Sequence, residues 1–173
     1  MLLPIDIIST IAKATKLDLK YKTPLELWMS AAEEYGELAR EIKIEFQVFG
    51  NEHKQKDEGI LGESIDVFIT ALCLYCTNDP DGLTLLHISK HLFAQNEKNI
   101  FITFREMGKS LYDAYYDRKA ALELAKNAAG IYFDVGGTEE EFINYCKKKL
   151  EKWIKNQENS EIDNLINTVT DNN

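Results

Sequence analysis

The stretch Ile60-Leu61-Gly62-Glu63-Ser64-Ile65-Asp66-Val67-Phe68-Ile69-Thr70-Ala71-Leu72-Cys73-Leu74-Tyr75-Cys76 decides how this chain folds, and Glu63 and Asp66 are its only charged residues. It reads as a helix from about residue 58 to 77, stopped by Asn78-Asp79-Pro80. At about 100° per residue, Glu63, Asp66, Thr70 and Thr77 share an arc of roughly 60°. Ile65, Val67, Phe68, Ile69, Leu72, Leu74 and Tyr75 take up the remainder. A helix so apolar is mostly buried, which brings its two carboxylates to or near the interior. A buried carboxylate needs a partner. A salt-bridged structural stripe would satisfy that need, but a charged pair in so apolar a setting points more strongly to function.

Helical signals continue on both sides. Upstream, Thr23-Pro24-Leu25-Glu26 offers a capping hydroxyl, proline at the first helical position and a capping-box glutamate. Trp28, Ala31, Ala32, Tyr35, Leu38, Ala39, Ile42 and Phe46 then recur at helical spacing to about residue 47, and Gly50 with the polar run 51–57 reads as a loop. Downstream, Asp79 and Pro80 are placed to cap and open the next helix. Segments near 80–95 and 97–130 look helical, with Gly108 as the candidate break. Gly136-Gly137 punctuates, and Thr138-Glu139-Glu140-Glu141 is a second capping box opening a helix over about 139–157. Residues 158–173 read as a polar tail that frays, with Ile162, Leu165, Ile166 and Val169 enough for a further turn or two. The expectation is a single all-α domain over 1–157, an antiparallel bundle of about five or six helices.

Composition narrows the function. The chain has 173 residues, 45% apolar and 28% charged, as a globular domain does. With 29 acidic against 20 basic residues its formal charge is −9, which disfavours nucleic acid and anionic membrane surfaces as partners. An anionic substrate would need a cation between itself and the protein. No unbroken apolar run reaches the roughly 18 residues of a bilayer span, and the start lacks the features of a signal peptide. Three cysteines, Cys73, Cys76 and Cys146, cannot all pair, so a reduced, cytoplasmic setting is expected.

Acidic residues three apart occur at Glu34/Glu37, Glu63/Asp66 and Glu158/Glu161. Composition alone would supply roughly five such pairs, so only context distinguishes them. The third pair lies in the polar tail. Glu34, Glu37, Glu41 and Glu45 share an arc of roughly 80° beside the apolar face of their helix, whereas Glu33 projects near Arg40 as a surface charge. If the two helices lie antiparallel, Glu34 and Glu37 meet Glu63 and Asp66. Four carboxylates about 6 Å apart at an effective dielectric near 20 repel by about 17 kcal/mol in total. A domain's whole stability is about 5–15 kcal/mol. The cluster must therefore be hydrated, protonated or neutralised, and an all-oxygen donor set suits Mg²⁺ first and Mn²⁺ second.

Glu33-Glu34-Tyr35-Gly36-Glu37, 25 intervening residues, then Glu63-Ser64-Ile65-Asp66 resembles the paired motif of the all-α nucleoside triphosphate pyrophosphohydrolases. That superfamily includes MazG-type enzymes and the dimeric dUTPases and dCTPases. The resemblance covers about residues 25–77 and implies a helical bundle, as a homodimer or homotetramer. It also implies Mg²⁺-dependent cleavage of an NTP or dNTP into the monophosphate and pyrophosphate. Glu34, Glu37, Glu63 and Asp66 match the metal ligands, and Glu37 is the expected carboxylate to orient the attacking water. Lys152, Lys155 and Asn156 are the nearest candidates for the downstream phosphate-binding pair. Ser64 and Ile65 stand where the MazG-type motif often has Leu-Gly, and segment 80–135 has no assigned counterpart.

Other signals read more simply. Cys73-Leu-Tyr-Cys76 sits in an apolar helix, where buried thiols are expected rather than redox or zinc chemistry. His87 and His91 are four apart but lack the glutamate of a zinc helix. Lys147, Lys148 and Lys149 read as a solvated face with reach toward a phosphate site. Trp28, Tyr35, Phe46 and Trp153 are expected in the core, one of them a candidate to stack a base. The all-round apolar character of 65–76 suggests cover from another subunit. A di-iron bundle fails because no histidine follows a glutamate by three positions. The remaining alternative is a non-catalytic helical interaction or oligomerisation module, or an inactive relative of the family.

Overall fold

A computed structural model of the chain describes residues 2–48, 58–79, 82–88, 92–93 and 99–170, the stretch 160–170 as backbone alone. The described residues form seven helices and no strand: α1 (Ile5–Asp18), α2 (Pro24–Glu45), α3 (Gly59–Cys76), α4 (Leu83–Ile88), α5 (Ile100–Ala114), α6 (Arg118–Asp134) and α7 (Glu139–Thr170). Both expected capping boxes are present. Thr23 Oγ1 accepts from the Glu26 backbone at 3.3 Å while the Thr23 backbone donates to Glu26 Oε2 at 2.7 Å. Thr138 and Glu141 repeat that exchange at 3.3 and 3.2 Å. Each box satisfies backbone donors that the first turn leaves without partners.

Several boundaries differ from expectation. Helix α1 was not foreseen, because Pro4 before it makes no side-chain cap and leaves no start signal. Its buried residues Ile7, Ile11 and Ala14 form a helical stripe onto the core. The break in the 97–130 segment falls at Tyr115–Asp117 rather than Gly108, since the Asp117 side chain accepts from the Lys119 backbone at 2.9 Å and starts α6. Gly108 stays inside α5, where a Cβ would come within 2.8 Å of the Tyr35 hydroxyl. Within 80–95 the described helix is only Leu83–Ile88, with Asp79 Oδ2 accepting from the Thr84 and Leu85 backbones at 2.9 and 3.2 Å. Pro80, His91 and the expected loop 51–57 lie outside the described residues. Helix α7 continues unbroken to Thr170, past the end expected near 157.

Helix α3 forms the centre, packed mainly against α6 and α2 and also against α1 and α7. The end of α2 (Glu45, Phe46) shares a cleft with the start of α3 (Gly59, Ile60), and Glu34 meets Glu63 further along, so the two run antiparallel. By length and composition α3 is apolar enough for a bilayer span, with mean hydropathy 1.6, yet 83% of it is buried within this chain. The cover that 65–76 seemed to require from a second subunit is therefore supplied by the other helices. Phe68 anchors this core, with its ring edge-on to Phe142 at 4.9 Å between centroids. Truncating a phenylalanine so buried costs about 3–5 kcal/mol. Burial pushes the Cys76 thiol up to about 12 and raises Cys73 and Cys146 as well, as expected for inert core thiols.

Candidate metal centre

Antiparallel packing of α2 on α3 brings two acidic pairs, each one helical turn apart, to a common edge. Carboxylate oxygens of Glu34, Glu37 and Glu63 all lie within 4.8 Å of one another. Their surroundings are unequal. Glu63 is 4% exposed and its Oε2 has no hydrogen-bond partner, whereas Glu37 is exposed and Glu34 half-buried. Burial, followed by the charges of Asp66 and Glu37, pushes the Glu63 carboxyl up to about 8 and the Glu34 carboxyl up to about 7. At neutral pH Glu63 is then mostly protonated and Glu34 about half so, and a bound cation would displace those protons.

Asp66, the fourth expected ligand, stands outside that trio and is engaged elsewhere. The Lys149 ammonium on α7 donates to Asp66 Oδ2 and also to Glu58 Oε2. Burial raises the Asp66 carboxyl against the pull of Lys149, and the same lysine holds Glu58 below its ordinary range. Burial alone would depress Lys149, but its hydrogen bonds to Asp66 and Glu58 outweigh that and raise it. The repulsion of about 17 kcal/mol reckoned for four bare carboxylates is thus relieved twice, by a bound ammonium and by retained protons.

A cleft of about 390 Å³ opens over the cluster, lined by the five carboxylates Glu34, Glu37, Glu58, Glu63 and Asp66 and, from α7, by Lys149, Lys152, Trp153, Asn156 and Gln157. Those α7 positions lie three, four, seven and eight residues beyond Lys149, one face of a helix. Lys152 and Asn156 from the sequence reading are on that face. Lys155, six residues from Lys149, points about 120° away and does not line the cleft. Lys149 was expected in a solvated face but is only 15% exposed. Trp153, one of the aromatics named as a candidate to stack a base, lines the cleft; Glu58 and Gln157 were not foreseen there, and helical spacing from Lys149 was the signal that could have found Gln157.

Behind the cleft, Asp18 of α1 is fully buried and accepts from Trp153 Nε1 at 3.3 Å and from Gln157 Nε2. It thereby sets the α7 face against α1. Of the aromatics expected in the core, Tyr35 stacks on Phe104 at 4.4 Å and Trp28 Nε1 donates to the Leu111 carbonyl at 2.7 Å, while Phe46 is 45% exposed. Thr70, grouped with the acidic stripe by its phase, donates its hydroxyl to the Asp66 and Val67 carbonyls of its own helix. His87 is exposed on α4.

The donor set fits a hard divalent cation: it is all oxygen, it converges, and it includes one buried oxygen with no partner. Glu34, Glu37 and Glu63 would hold the ion, with Asp66 adjacent. Comparison with known proteins identifies no relative: no family model matches the chain, and no curated protein or solved structure matches it significantly.

Proposed function

We propose that this protein is a Mg²⁺-dependent hydrolase, with Mn²⁺ as second choice, that converts a nucleoside or deoxynucleoside triphosphate to the monophosphate and pyrophosphate. The observation that carries the reading is the convergence of Glu34, Glu37 and Glu63, with Glu63 also carrying a buried oxygen that has no hydrogen-bond partner. A divalent cation held by Glu34, Glu37 and Glu63 would supply Lewis-acid stabilisation of negative charge on a phosphate substrate. Glu63 and Glu34 would hold the cation as deprotonated carboxylates. Glu37 is exposed at the rim of the trio, and in this reading it orients a water and accepts its proton. Lys149 and Lys152 provide cationic charge on the opposite wall of the cleft, and the −9 chain needs such charge to receive an anion. The cleft volume falls within the usual small-ligand range of about 300–1,000 Å³. Self-association as a homodimer or homotetramer is part of the proposal. The exposed side chains of Leu25 and Met29 on α2, and Tyr112 on α5 with Tyr116 just beyond it, offer apolar surface for it.

The test is a panel of NTPs and dNTPs incubated with Mg²⁺, with pyrophosphate and orthophosphate measured separately. Pyrophosphate from any member supports the reading. Orthophosphate as the direct product rejects attack at the α-phosphorus. Release from none of them, with metal bound, leaves the non-catalytic helical module as the better account.

A further inference from the structure

Lys149 occupies a position that a surface lysine does not. Its ammonium bridges Asp66 Oδ2 and Glu58 Oε2 at once, and its side chain is 15% exposed. Glu58 precedes α3 but makes no cap bond to it, leaving its carboxylate for the lysine. The seat for Glu58 is made by Gly62, where a Cβ would lie 2.7 Å from Glu58 Cβ. Two helices thus meet at one ammonium: α3, through Glu58 at its start and Asp66 in its acidic stripe, and α7, which carries Lys149. The remaining three carboxylates, Glu34, Glu37 and Glu63, form a group without Asp66.

We propose that Lys149 is a resident counter-cation that competes with the divalent ion for Asp66, and that metal binding displaces it from the Glu58–Asp66 bridge. The inference rests on the metal-centre reading above. An ammonium and a divalent cation cannot share one carboxylate in a half-buried site without strong mutual repulsion, so Asp66 serves one or the other. Lysine suits the exchange. Its charge sits at the end of a flexible four-carbon stem, so it can leave Asp66 without any helix moving. Once released it remains in the cleft beside Lys152, on the wall facing the carboxylates. Metal-free, the bridging ammonium offsets part of the repulsion that the Asp66 charge adds to Glu34 and Glu63. Lys149 in this account positions charge and touches no reacting atom.

The experiment uses the full chain and Mn²⁺ alone. Binding is followed by the electron paramagnetic resonance signal of free Mn²⁺ for wild type, Lys149→Gln and Lys152→Gln. Lys152 lines the same cleft and removes the same charge, so it reports on through-space electrostatics only. Lys149→Gln is expected to tighten Mn²⁺ by about tenfold or more, equivalent to about 1.4 kcal/mol, and Lys152→Gln by about threefold or less. In wild type, amine labelling read by mass spectrometry should modify Lys149 faster once Mn²⁺ is added, with little change at Lys152. The labelling arm decides the matter even if Lys149→Gln does not fold. Equal tightening by both variants, unchanged or weaker binding by Lys149→Gln, or labelling of Lys149 indifferent to Mn²⁺ would each overturn the proposal. If wild type binds Mn²⁺ and only these signatures fail, the exchange is wrong and the metal centre survives. If wild type binds no Mn²⁺ at millimolar concentration, both fall.

Discussion

Glu63→Gln should make the metal-free protein more stable at high pH and indifferent to Mg²⁺. Burial and the neighbouring charges raise the Glu63 carboxyl from 4.5 to about 8 in the folded protein, so the native state holds a proton the unfolded chain releases. The sign follows from linkage. Stability associated with that proton is complete below about 4.5 and is lost as pH rises through about 8. Between pH 5 and pH 8 the loss from this one group is about 3–4 kcal/mol. Glu63 is only 4% exposed, so little is lost to solvent screening. For a chain of this length that corresponds to a fall in Tm of roughly 6–16 °C. Glutamine copies the shape of the neutral acid and cannot ionise, so the variant should lack that fall. The assay is a set of thermal melts in EDTA from pH 5 to pH 8, read as the difference between variant and wild type. Asp18, outside the trio, titrates in both proteins and largely cancels, whereas Glu34 is coupled to Glu63 and its own rise is lessened in the variant. With Mg²⁺ at pH 8 the order should invert, because wild type gains a ligand that the variant binds poorly. A wild-type-minus-variant difference flat across the pH range, or equal stabilisation of both by Mg²⁺, would refute the reasoning.

Other outcomes follow from the same geometry. Mg²⁺ at a hundred times its Kd should stabilise wild type by about 2.7 kcal/mol. Binding should also release protons, since Glu34 near 7 and Glu63 near 8 must ionise, so affinity climbs as pH rises through that window; calorimetry in buffers of different ionisation enthalpy measures it. Glu37→Gln removes one of the charges that raise Glu34 and Glu63, so the metal-free melt should rise, while pyrophosphate release should fall by about 10²–10⁴-fold. Asp18→Ala strands the Trp153 and Gln157 donors and should cost about 1–3 kcal/mol, with a shift in tryptophan fluorescence as α7 loosens from α1. Glu158→Gln breaks an exposed 2.9 Å pair with Lys13 and should cost less than about 1 kcal/mol, with the Mg²⁺ response unchanged.

Much of this molecule was legible in local sequence. The capping boxes at Thr23 and Thr138 act over three residues, and the local chain alone satisfies their hydrogen bonds. The apolarity of 60–76 required a buried helix, and spacings of three put Glu34 with Glu37 and Glu63 with Asp66 on single faces. The meeting of those faces was legible only on the condition that the two helices lie antiparallel, which the packing of α2 on α3 supplies. Where local signals were silent, so was the reading. Helix α1 has no capping side chain, and the break before α6 is set by Asp117 rather than by a glycine.

Tertiary structure decided what the carboxylates face. Asp66 and Lys149 are 83 residues apart, and Asp18 and Trp153 are 135 apart. No periodicity within either segment encodes such a pairing. It depends on the rotation at which α7 settles against α3 and α1, and that rotation comes from packing around Phe142, Cys146 and Leu150. The same packing covers α3 from within the chain, turns Lys149 inward and leaves Lys155 outside the cleft. Sequence alone determined that acidic pairs exist on helix faces, because helix geometry is local. Which cation neutralises which carboxylate, and which oxygen stays buried without a partner, was decided by side-chain packing between distant helices.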